Sequence, residues 1–432
     1  MVDPATPIDG RVQVPDLGIR PRGIPPTDHV GYQDLIARGK LHPLGLLDIR
    51  HFGAVGDGSH DDAPAIQRAI TAAGRGGRSY GVFVPPGNYR LNSGLTISDR
   101  GVALIGVGEQ SSFLAGSATG NMLTITNLDV LLDGLYFTVA PGVTRTAGAA
   151  VEVQNTGRPH LRDVWFNAQF WALYLNSTND VHARSMQFIN TVANGNDIRI
   201  NGGNEITLTD LEMTSMAAGK IGIYILGDPA SNGGEGIRID NFAVISGGLR
   251  GIHLDPAPGN IQYVHISNGE IADQAEGGIY IGPPGGYTCR FITINSVNVM
   301  NCGGSASVPA AIFASLGVED VHLSDVVAFA NGREGIRISS GNSSVVSCRA
   351  LSNSTETTNT YDGILVGGGG ASTTDGTRIS ACSSRGASQR YGINLRPGAF
   401  GCIAVGNDTR GNGTGGVNDA SVAPKDVNHN LG

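Results

Sequence analysis

The sequence predicts an all-β fold, a parallel β-helix of about eleven coils, from its composition and from two repeated residue patterns. Glycine makes up 65 of the 432 residues, as is typical of many short strands joined by turns. The first pattern is a four-residue strand of Gly-Ile-x-Ile type that returns roughly every 22–34 residues. Its copies are Ala150–Val153, Ala172–Leu175, Asp197–Ile200, Gly222–Ile225, Gly251–Leu254, Gly278–Ile281, Ala311–Ala314, Gly335–Ile338, Gly363–Val366 and Gly392–Leu395. Strands stacked about 4.8 Å apart would form a rod on the order of 50 Å long with an aliphatic interior.

The second pattern is a small polar residue about a dozen positions after each strand, between two short apolar runs. Its members are Asp133, Asp163, Ser185, Asp210, Asn241, Asn268, Ser296, Asp325, Cys348, Cys382 and Asn407. Stacked on successive coils, they predict an internal ladder at one tight turn, in which each side chain bonds the neighbouring coil. Cys348 and Cys382 would be neighbours in this ladder, so we expect free stacked thiols, with a disulfide as the alternative.

The segment Leu47–Leu91 precedes the repeats and has a composition of its own. It predicts a strand over Leu47–Phe52, the glycine turn Ala54–Gly58, and a short amphipathic helix opened by the pair Asp61-Asp62. One aspartate is placed as the N-cap, and a proline follows in the first turn. Further features are the apolar face Ile66, Ala69, Ile70 and Ala73, the helix end at Gly74, the strand Val82–Val84 and the turn Pro85–Gly87.

This order of strand, glycine turn, helix and Pro-Pro-Gly strand resembles the opening segment of the pectate-lyase-like superfamily. The resemblance implies a right-handed parallel β-helix whose open N-terminal end is covered by the helix. It divides the chain into a proline-rich extension, residues 1–46, and a single β-helix domain, residues 47–432. Within the extension, Tyr32–Arg38 is a helix candidate.

The composition and the N-terminal sequence constrain which classes of partner and which cellular locations we expect for the protein. The formal net charge of −8 argues against a nucleic acid or an anionic membrane as partner. No apolar run approaches the roughly 20 residues that cross a bilayer. The start MVDPATPIDG shows no signal peptide. We expect a secreted or periplasmic protein whose signal has been removed, and a virion-associated protein is the alternative.

The alternation of each Gly-Ile-x-Ile strand directs its third residue to solvent. Down the stack these residues are Glu152, Tyr174, Arg199, Tyr224, His253, Tyr280, Phe313, Arg337, Leu365 and Asn394. Aromatic faces stack on sugar rings, and arginine binds carboxylates or sulfates bidentately. We therefore expect Arg199, Arg337, Tyr174 and Phe313 to bind substrate. The resemblance agrees, because polygalacturonases, pectate lyases and mannuronan epimerases bind substrate along this outer sheet.

The candidate catalytic centre is His253 with Asp255, two residues apart on one strand, where both point outward and can approach each other. A histidine with a carboxylate partner can act as general acid or base near neutral pH. Four more candidates surround this pair: Asp228 after the preceding strand, Glu276 before the next, and Tyr224 and Tyr280 on the flanking coils.

Two mechanisms fit this group. Two of the three carboxylates could hydrolyse a glycosidic bond as acid and base, and their separation would decide inversion or retention. Alternatively, His253 or a tyrosine could abstract the proton beside a uronate carboxylate neutralised by arginine, with a tyrosine as acid, in a β-elimination.

The chain departs from the named families at their site motifs. The Asn-Thr-Asp, Asp-Asp, Gly-His-Gly and Arg-Ile-Lys blocks of polygalacturonases are missing from the corresponding strands. Of the epimerase block Tyr-Gly-x-Asp-Pro-His only Asp255-Pro256 remains, with Ala257 in place of the histidine. The calcium-binding aspartates of pectate lyases are not recognisable. We expect no metal and no cofactor; calcium is an option that the sequence does not indicate.

These observations predict a carbohydrate-active enzyme, a polysaccharide lyase or glycoside hydrolase that cleaves a polysaccharide or oligosaccharide on the outer sheet. Three alternatives stay open. The first is a phage tail-spike-type depolymerase that assembles as a homotrimer. The second is an oligosaccharide transferase resembling inulin fructotransferases. The third is a non-catalytic glycan-binding solenoid.

Overall fold

The computed structural model describes residues 46–75, 80–189, 192–229, 233–283, 285–367, 374–422 and 425–432. It is a right-handed parallel β-helix, as predicted. The predicted N-terminal extension, with its helix candidate Tyr32–Arg38, lies outside the described residues apart from residue 46. Within the described ranges, no helix combines the length and the apolar character needed to cross a bilayer.

One face of the rod is a sheet of thirteen parallel strands in the described residues, which we name sheet I. Its strands are Leu95–Ile97, Leu123–Ile125, Ala149–Gln154, Trp171–Asn176, Asn196–Asn201, Ile221–Leu226, Arg250–Asp255, Gly277–Ile281, Ala310–Ala314, Glu334–Ile338, Ile364–Val366, Tyr391–Leu395 and Gly415–Asp419. The prediction of about eleven coils was too low. Three strands of sheet I lack the repeated pattern. Leu95–Ile97 and Leu123–Ile125 have only three residues each, and Gly415–Asp419 carries Asp419 in register with the apolar Leu395.

The remaining faces form a second sheet of twenty-three strands in the described residues, which we name sheet II. Its strands are Leu47–Asp48, Asp57–Asp61, Gly81–Phe83, Gly87–Leu91, Ala103–Ile105, Ser111–Ala115, Leu131–Val139, His160–Asn167, His182–Ile189, Gly203–Asn204, Thr207–Met213, Gly234–Glu235, Arg238–Ile245, Ile261–Ala272, Cys289–Met300, Glu319–Ser324, Val327–Phe329, Ser344–Val346, Arg349–Leu351, Arg378–Ser380, Ser383–Arg385, Ile403–Val405 and Asp426–Asn428. A further pair joins Thr374–Asp375 to Ala399–Phe400.

The second sequence pattern marks the bend of sheet II, but the predicted internal ladder forms only at its last members, Cys348, Cys382 and Asn407, where Cys382 N donates to Asn407 Oδ1 at 2.9 Å. Seven members adopt left-handed backbone with φ between 50° and 55°, and none of them is buried: Asp163, Ser185, Asp210, Asn241, Asn268, Ser296 and Asp325. The left-handed conformation at the bend leaves each of these side chains outside the coil. Some still bond across coils, as in the 2.6 Å hydrogen bond from Asn241 Nδ2 to Asp210 Oδ1.

The pattern also slips by one residue in part of the chain. Gly134 takes the left-handed bend in place of Asp133. Near the C-terminus the bend residues are Ser347, Ala381 and Gly406, and the next residues, Cys348, Cys382 and Asn407, are buried. The expectation of free thiols is confirmed, since all five cysteines are free and buried. Burial raises the pKa of Cys289 and Cys302 to about 12, which keeps them as thiols.

A ladder of buried amides does run inside the last coils, at a turn that the sequence pattern missed. Asn353 is fully buried, and its Oδ1 accepts hydrogen bonds from Asn331 N at 3.1 Å and Asn331 Nδ2 at 2.9 Å. Its own Nδ2 donates to Gln389 Oε1 at 3.0 Å and to the Ala328 carbonyl at 3.0 Å. Gln389 continues the ladder to Asn412 at 2.9 Å. Each amide thus satisfies backbone and side-chain groups of its neighbours.

The interior of the N-terminal coils is filled by an aromatic stack. Its members are Tyr89, Phe113, Phe137, Phe166 and Phe188, with successive ring centroids 6.4, 5.4, 5.6 and 5.1 Å apart. All five are at most 1% exposed. Aromatic pairs at this separation add to the stabilisation from area burial, so the stack ties five coils together.

The opening segment caps the rod with the helix Ala63–Gly74, as the resemblance implied, and Ile66 and Ile70 are buried. Asp62 is the N-cap residue by position, yet its carboxylate accepts hydrogen bonds from the backbone N–H groups of Val55 at 2.7 Å and Gly56 at 3.1 Å. The predicted strand Leu47–Phe52 is shorter, because Ile49–Phe52 forms a 3-10 turn capped by the Asp48 side chain.

We predict that Asn353→Ala lowers the free energy of unfolding by about 1–3 kcal/mol, because buried groups of Asn331 and Gln389 lose their partners. Chemical denaturation of the full chain measures this change. The matched control is Asn298→Ala, an exposed position on sheet II, which should stay within about 0.5 kcal/mol of wild type. Equal effects of the two changes would contradict the role of the amide ladder.

Candidate functional site

The third residues of the Gly-Ile-x-Ile strands form one continuous row in register, as predicted, but Leu365 and Asn394 are buried and do not face solvent as expected. Cα pairing joins Glu152, Tyr174, Arg199, Tyr224, His253, Tyr280, Phe313, Arg337, Leu365 and Asn394 in that order. We name the segment from Tyr174 to Arg337 the aromatic row. It runs parallel to the rod axis with one side chain per coil, roughly 4.8 Å apart.

Four rings at the centre of the aromatic row stack face to face. The His253 imidazole lies between Tyr224 and Tyr280, with centroids 5.0 and 4.7 Å away. Phe313 continues the stack at 5.6 Å from Tyr280. The stack presents ring edges and hydroxyls to solvent and leaves His253 only 7% exposed. It brings together four of the residues that sequence reasoning selected.

His253 has an electrostatic environment that the sequence did not reveal. Burial, together with the charge of Arg250, lowers the pKa of His253 to about 3. Arg250 Nη1 lies 3.2 Å from His253 Nδ1. Because a guanidinium can only donate, Nδ1 is the acceptor and the proton of the neutral ring is on Nε2. His253 therefore does not form the predicted His–carboxylate pair with Asp255, and its Nε2 has no lone pair for a substrate proton.

Arg250 is the central residue that sequence reasoning missed. Its Nη2 and Nε bond Glu276 Oε2 at 2.6 and 2.9 Å, and its guanidinium carbon lies 4.9 Å from the Tyr280 ring centroid. The sequence feature that could have identified Arg250 is its position at the start of the strand, three residues before His253.

Glu276 is separated from the other predicted carboxylates. It immediately precedes its strand, whereas Asp255 ends the neighbouring one, so roughly 20 Å of strand lies between the two Cα positions. The prediction that any two of the three carboxylates could work as a pair is therefore corrected, and Glu276 serves as the partner of Arg250.

Asp255 and Asp228 lie together at the carboxyl ends of adjacent strands, and each accepts a hydroxyl hydrogen bond. Tyr224 Oη donates to Asp255 Oδ2 at 2.7 Å, and Ser177 Oγ donates to Asp228 Oδ2 at 2.7 Å. Asp255 pairs in register with Leu226, two residues before Asp228. Burial and the Asp255 carboxylate raise the pKa of Tyr224, so its phenol keeps the proton.

The two predicted substrate-binding arginines have different surroundings. The Arg199 guanidinium carbon lies 4.9, 5.8 and 5.4 Å from the ring centroids of Trp171, Tyr174 and Tyr224. In the described part of the chain Arg199 forms no ion pair. Arg337 stacks on Phe313 at 5.3 Å, and its Nη1 lies 3.9 Å from Glu334 Oε1. The unpaired charge of Arg199 is therefore the better placed to receive an anion.

A buried ion pair supports the coil that carries Arg199. Lys220 Nζ lies 3.0 Å from Asp197 Oδ1, and both side chains are fully buried. Burial lowers the pKa of Lys220 and raises that of Asp197, and their mutual attraction opposes both shifts. Lys220 also donates to the Gln169 carbonyl at 3.0 Å. Asp197 stands where most strands of sheet I carry glycine or alanine, and this pair was not foreseen.

Within the described ranges, no three His, Cys, Asp or Glu side chains converge in a way that could hold a metal ion. The absence of calcium dependence stays a prediction.

Residues 46–279 match the family described as rhamnogalacturonase A/epimerase, pectate lyase-like. The chain is 39% identical over 74 residues to mannuronan C5-epimerase AlgE3 of Azotobacter vinelandii, and 31% identical over 109 residues to rhamnogalacturonase A of Aspergillus aculeatus. These stretches cover 16% and 25% of this chain, but only 4% and 23% of the two relatives.

The solved structures confirm the fold. The Dettilon tailspike protein superimposes with a TM-score of 0.57 at 16% identity, over 89% of this chain and 73% of the tailspike chain. At this identity the similarity concerns the fold alone.

We predict that the His253 imidazole stays neutral between about pH 5 and 8, because burial and Arg250 hold its pKa near 3. NMR titration of the His253 ring protons measures this. Arg250→Gln removes the repelling charge and should raise the pKa of His253. An imidazole that titrates near pH 6.5 in the wild-type protein would contradict the stacked environment.

Proposed function

The chain belongs to the rhamnogalacturonase A/epimerase family of pectate lyase-like proteins, and we propose that it hydrolyses glycosidic bonds of an acidic polysaccharide. Members of this family are carbohydrate-active β-helix proteins. The observation that carries the proposal is the pair Asp228 and Asp255, held at the carboxyl ends of adjacent strands beside the aromatic row.

The carboxylate pair suits acid and base catalysis. One carboxyl group protonates the leaving glycosidic oxygen while the other activates a water molecule. The separation of the two carboxyl groups decides between inversion through that water and a covalent intermediate. The hydroxyls of Tyr224 and Ser177 each donate to one carboxylate oxygen at 2.7 Å, and the second oxygen of Asp255 accepts the backbone N–H of Ala257 at 3.3 Å, so both carboxylates are held in position.

The aromatic row supports an acidic substrate. Sugar rings contact the edges and hydroxyls of Tyr174, Tyr224 and Tyr280, and Arg199 receives a uronate carboxylate. Arg199 has no ion pair in the described residues, so binding an anion does not require breaking one. Arg337 lies three coils beyond His253, roughly 14 Å away, where it would contact a more distant sugar unit.

β-Elimination is the second candidate, and the proximity of Tyr224 to Arg199 favours it. The Arg199 guanidinium carbon lies 5.4 Å from the Tyr224 ring centroid, so a uronate held by the arginine would meet a phenol. The raised pKa of Tyr224 makes this phenol an acid rather than a base. Since His253 is neutral and protonated on Nε2, elimination lacks an evident base, and we rank hydrolysis first.

We predict that Asp228→Asn and Asp255→Asn each lower kcat by about 10²–10⁴-fold with little change in KM, because each removes an acid or base group. The full chain is assayed on polygalacturonate, alginate and rhamnogalacturonan, in parallel for new reducing ends and for the ultraviolet absorbance of unsaturated uronates. The matched control is Asp320→Asn on sheet II, where asparagine tolerates the left-handed backbone.

The two readouts separate the mechanisms. New ends without absorbance support hydrolysis, whereas new ends with absorbance would replace it by β-elimination. Full activity of both asparagine variants would contradict the catalytic role of Asp228 and Asp255. Silence in both readouts would favour transfer, epimerisation or binding without turnover.

We predict that Arg199→Ala raises KM for an acidic substrate at least about tenfold, since a charge-assisted contact is lost. Arg199→Lys should restore part of the affinity, because it keeps the charge but loses the fork geometry. An unchanged KM, or activity on neutral fructan, would favour the transferase alternative.

Assembly and location stay predictions. Light scattering distinguishes the monomer from the homotrimer expected of a tail-spike-type protein. A secreted or periplasmic location, with a virion-associated one as the alternative, also stays a prediction.

A further inference from the structure

A pair of stacked aromatic rings lies on sheet II, outside the aromatic row. Tyr263 and Phe291 occupy equivalent positions on neighbouring coils, and their rings stack with centroids 4.9 Å apart and planes inclined by 14°. Tyr263 is 52% exposed, whereas Phe291 is half-buried. The guanidinium carbon of Arg290 lies 4.9 Å from the Phe291 ring centroid. The Tyr263 ring therefore meets solvent, supported from one side by Phe291 and Arg290.

The fold does not account for aromatic residues at these positions. Tyr263 and Phe291 have φ of 55° and 58°, a left-handed conformation that is unfavourable for bulky side chains. The equivalent positions on the other coils are also left-handed, and they carry Asp129, Arg158, Asp180, Glu205, Gly236, Asp320, Asn342 and Gly376. Because these rings lie outside the core and contribute little to it, we interpret them as residues that make contacts at the protein surface.

The two rings form one wall of a cleft of about 590 Å³. Its floor is the outward row of sheet II next to them, Arg238, His265, Thr293 and His322, one residue per coil over roughly 14 Å. Gly236 occupies the equivalent position on the coil before Tyr263, and because it has no side chain the Tyr263 end of the ring pair is open. No carboxylate lines the cleft among the described residues.

Arg238 is the fixed positive charge among the residues that line the cleft. Arg238, His265 and His322 are exposed, and Arg238 forms no ion pair in the described part of the chain. Two acidic residues next to the floor of the cleft have hydrogen-bond partners of their own. Asp240 accepts hydrogen bonds from Ser267 at 2.6 Å and Asn268 at 2.8 Å, and Asp320 accepts one from Asn342.

We propose that this cleft is a second binding site for an acidic polysaccharide, separate from the aromatic row. The exposed ring of Tyr263, supported by Phe291, stacks on a sugar ring, Arg238 binds a carboxylate or sulfate of the same chain, and the two histidines offer hydrogen bonds to it. A platform that spans several coils fits an extended polymer better than a compact ligand. The proposal concerns binding alone, so it stands or falls independently of the hydrolysis at Asp228 and Asp255.

The test is affinity gel electrophoresis of the full chain in gels that contain polygalacturonate, alginate or neutral dextran. The variant is Tyr263→Gly with Phe291→Gly, which removes both rings and relieves the left-handed backbone, so the fold is retained and Tm should not fall. The matched control is Phe329→Ala, an aromatic residue on the same sheet that is 45% exposed and lies outside the cleft.

Each protein is also measured in the Arg199→Ala background, which weakens the first site. We expect the double glycine variant to bind the acidic polymers about five- to tenfold more weakly in the Arg199→Ala background, where the cleft supplies most of the remaining affinity, and to show a smaller loss where the aromatic row is intact. Arg238→Ala should weaken binding to the acidic polymers and leave the mobility in dextran unchanged.

Three results would overturn the proposal. The first is unchanged retardation of the double glycine variant in the Arg199→Ala background. The second is equal retardation by dextran, which would assign the cleft to neutral sugar. The third is light scattering in which the glycine variant dissociates an oligomer while polymer binding is unchanged, which would assign the rings to an interface between copies.

Discussion

Stacking of parallel coils in register, about 4.8 Å apart, is the constraint on which the rest of this structure depends. Because equivalent residues of successive coils meet, any residue type repeated at one position becomes a continuous column. The same rule produces the internal phenylalanine stack, the buried amide ladder around Asn353, the outer polar residues at the bend of sheet II, and the aromatic row. Each column stabilises the register that creates it, through ring contacts or hydrogen bonds between coils.

The chemistry of the aromatic row follows from the same stacking. A histidine alone on a strand surface would be solvated, but His253 is enclosed by tyrosines from the coils above and below it, and this burial sets its neutral state. Arg250 adds a positive charge to the same environment and is itself held by Glu276. The groups left at the edge of the sheet, Asp228 and Asp255, keep one oxygen fixed by a hydroxyl. Because of this stacking, the His253 imidazole serves to separate two tyrosine rings, and the two carboxylates are the candidate catalytic groups.

Corners of the solenoid are the second place where side chains can vary without disturbing the core. The left-handed positions of the corners direct side chains outward, so their identity is free of packing requirements. Most corners carry residues that adopt this backbone readily, and Tyr263 and Phe291 stand out against them. The buried pair of Lys220 and Asp197 is the opposite case, because it places two charges in the interior and requires each to compensate the other. It fixes the coil that presents Arg199.

The sequence by itself determined the fold class, the capping helix and the order of the aromatic row, because all three depend on periodicity that can be read along the chain. It misjudged the number of coils, since the end strands are too short to show the pattern. It also placed the polar column inside the coil, because a left-handed bend reverses a side chain without changing the spacing. Only the tertiary structure decided which groups meet: Arg250 with His253, Tyr224 with Asp255, Ser177 with Asp228. These contacts join residues up to 51 positions apart, and the path of the turns that brings them together leaves no periodic trace in the sequence.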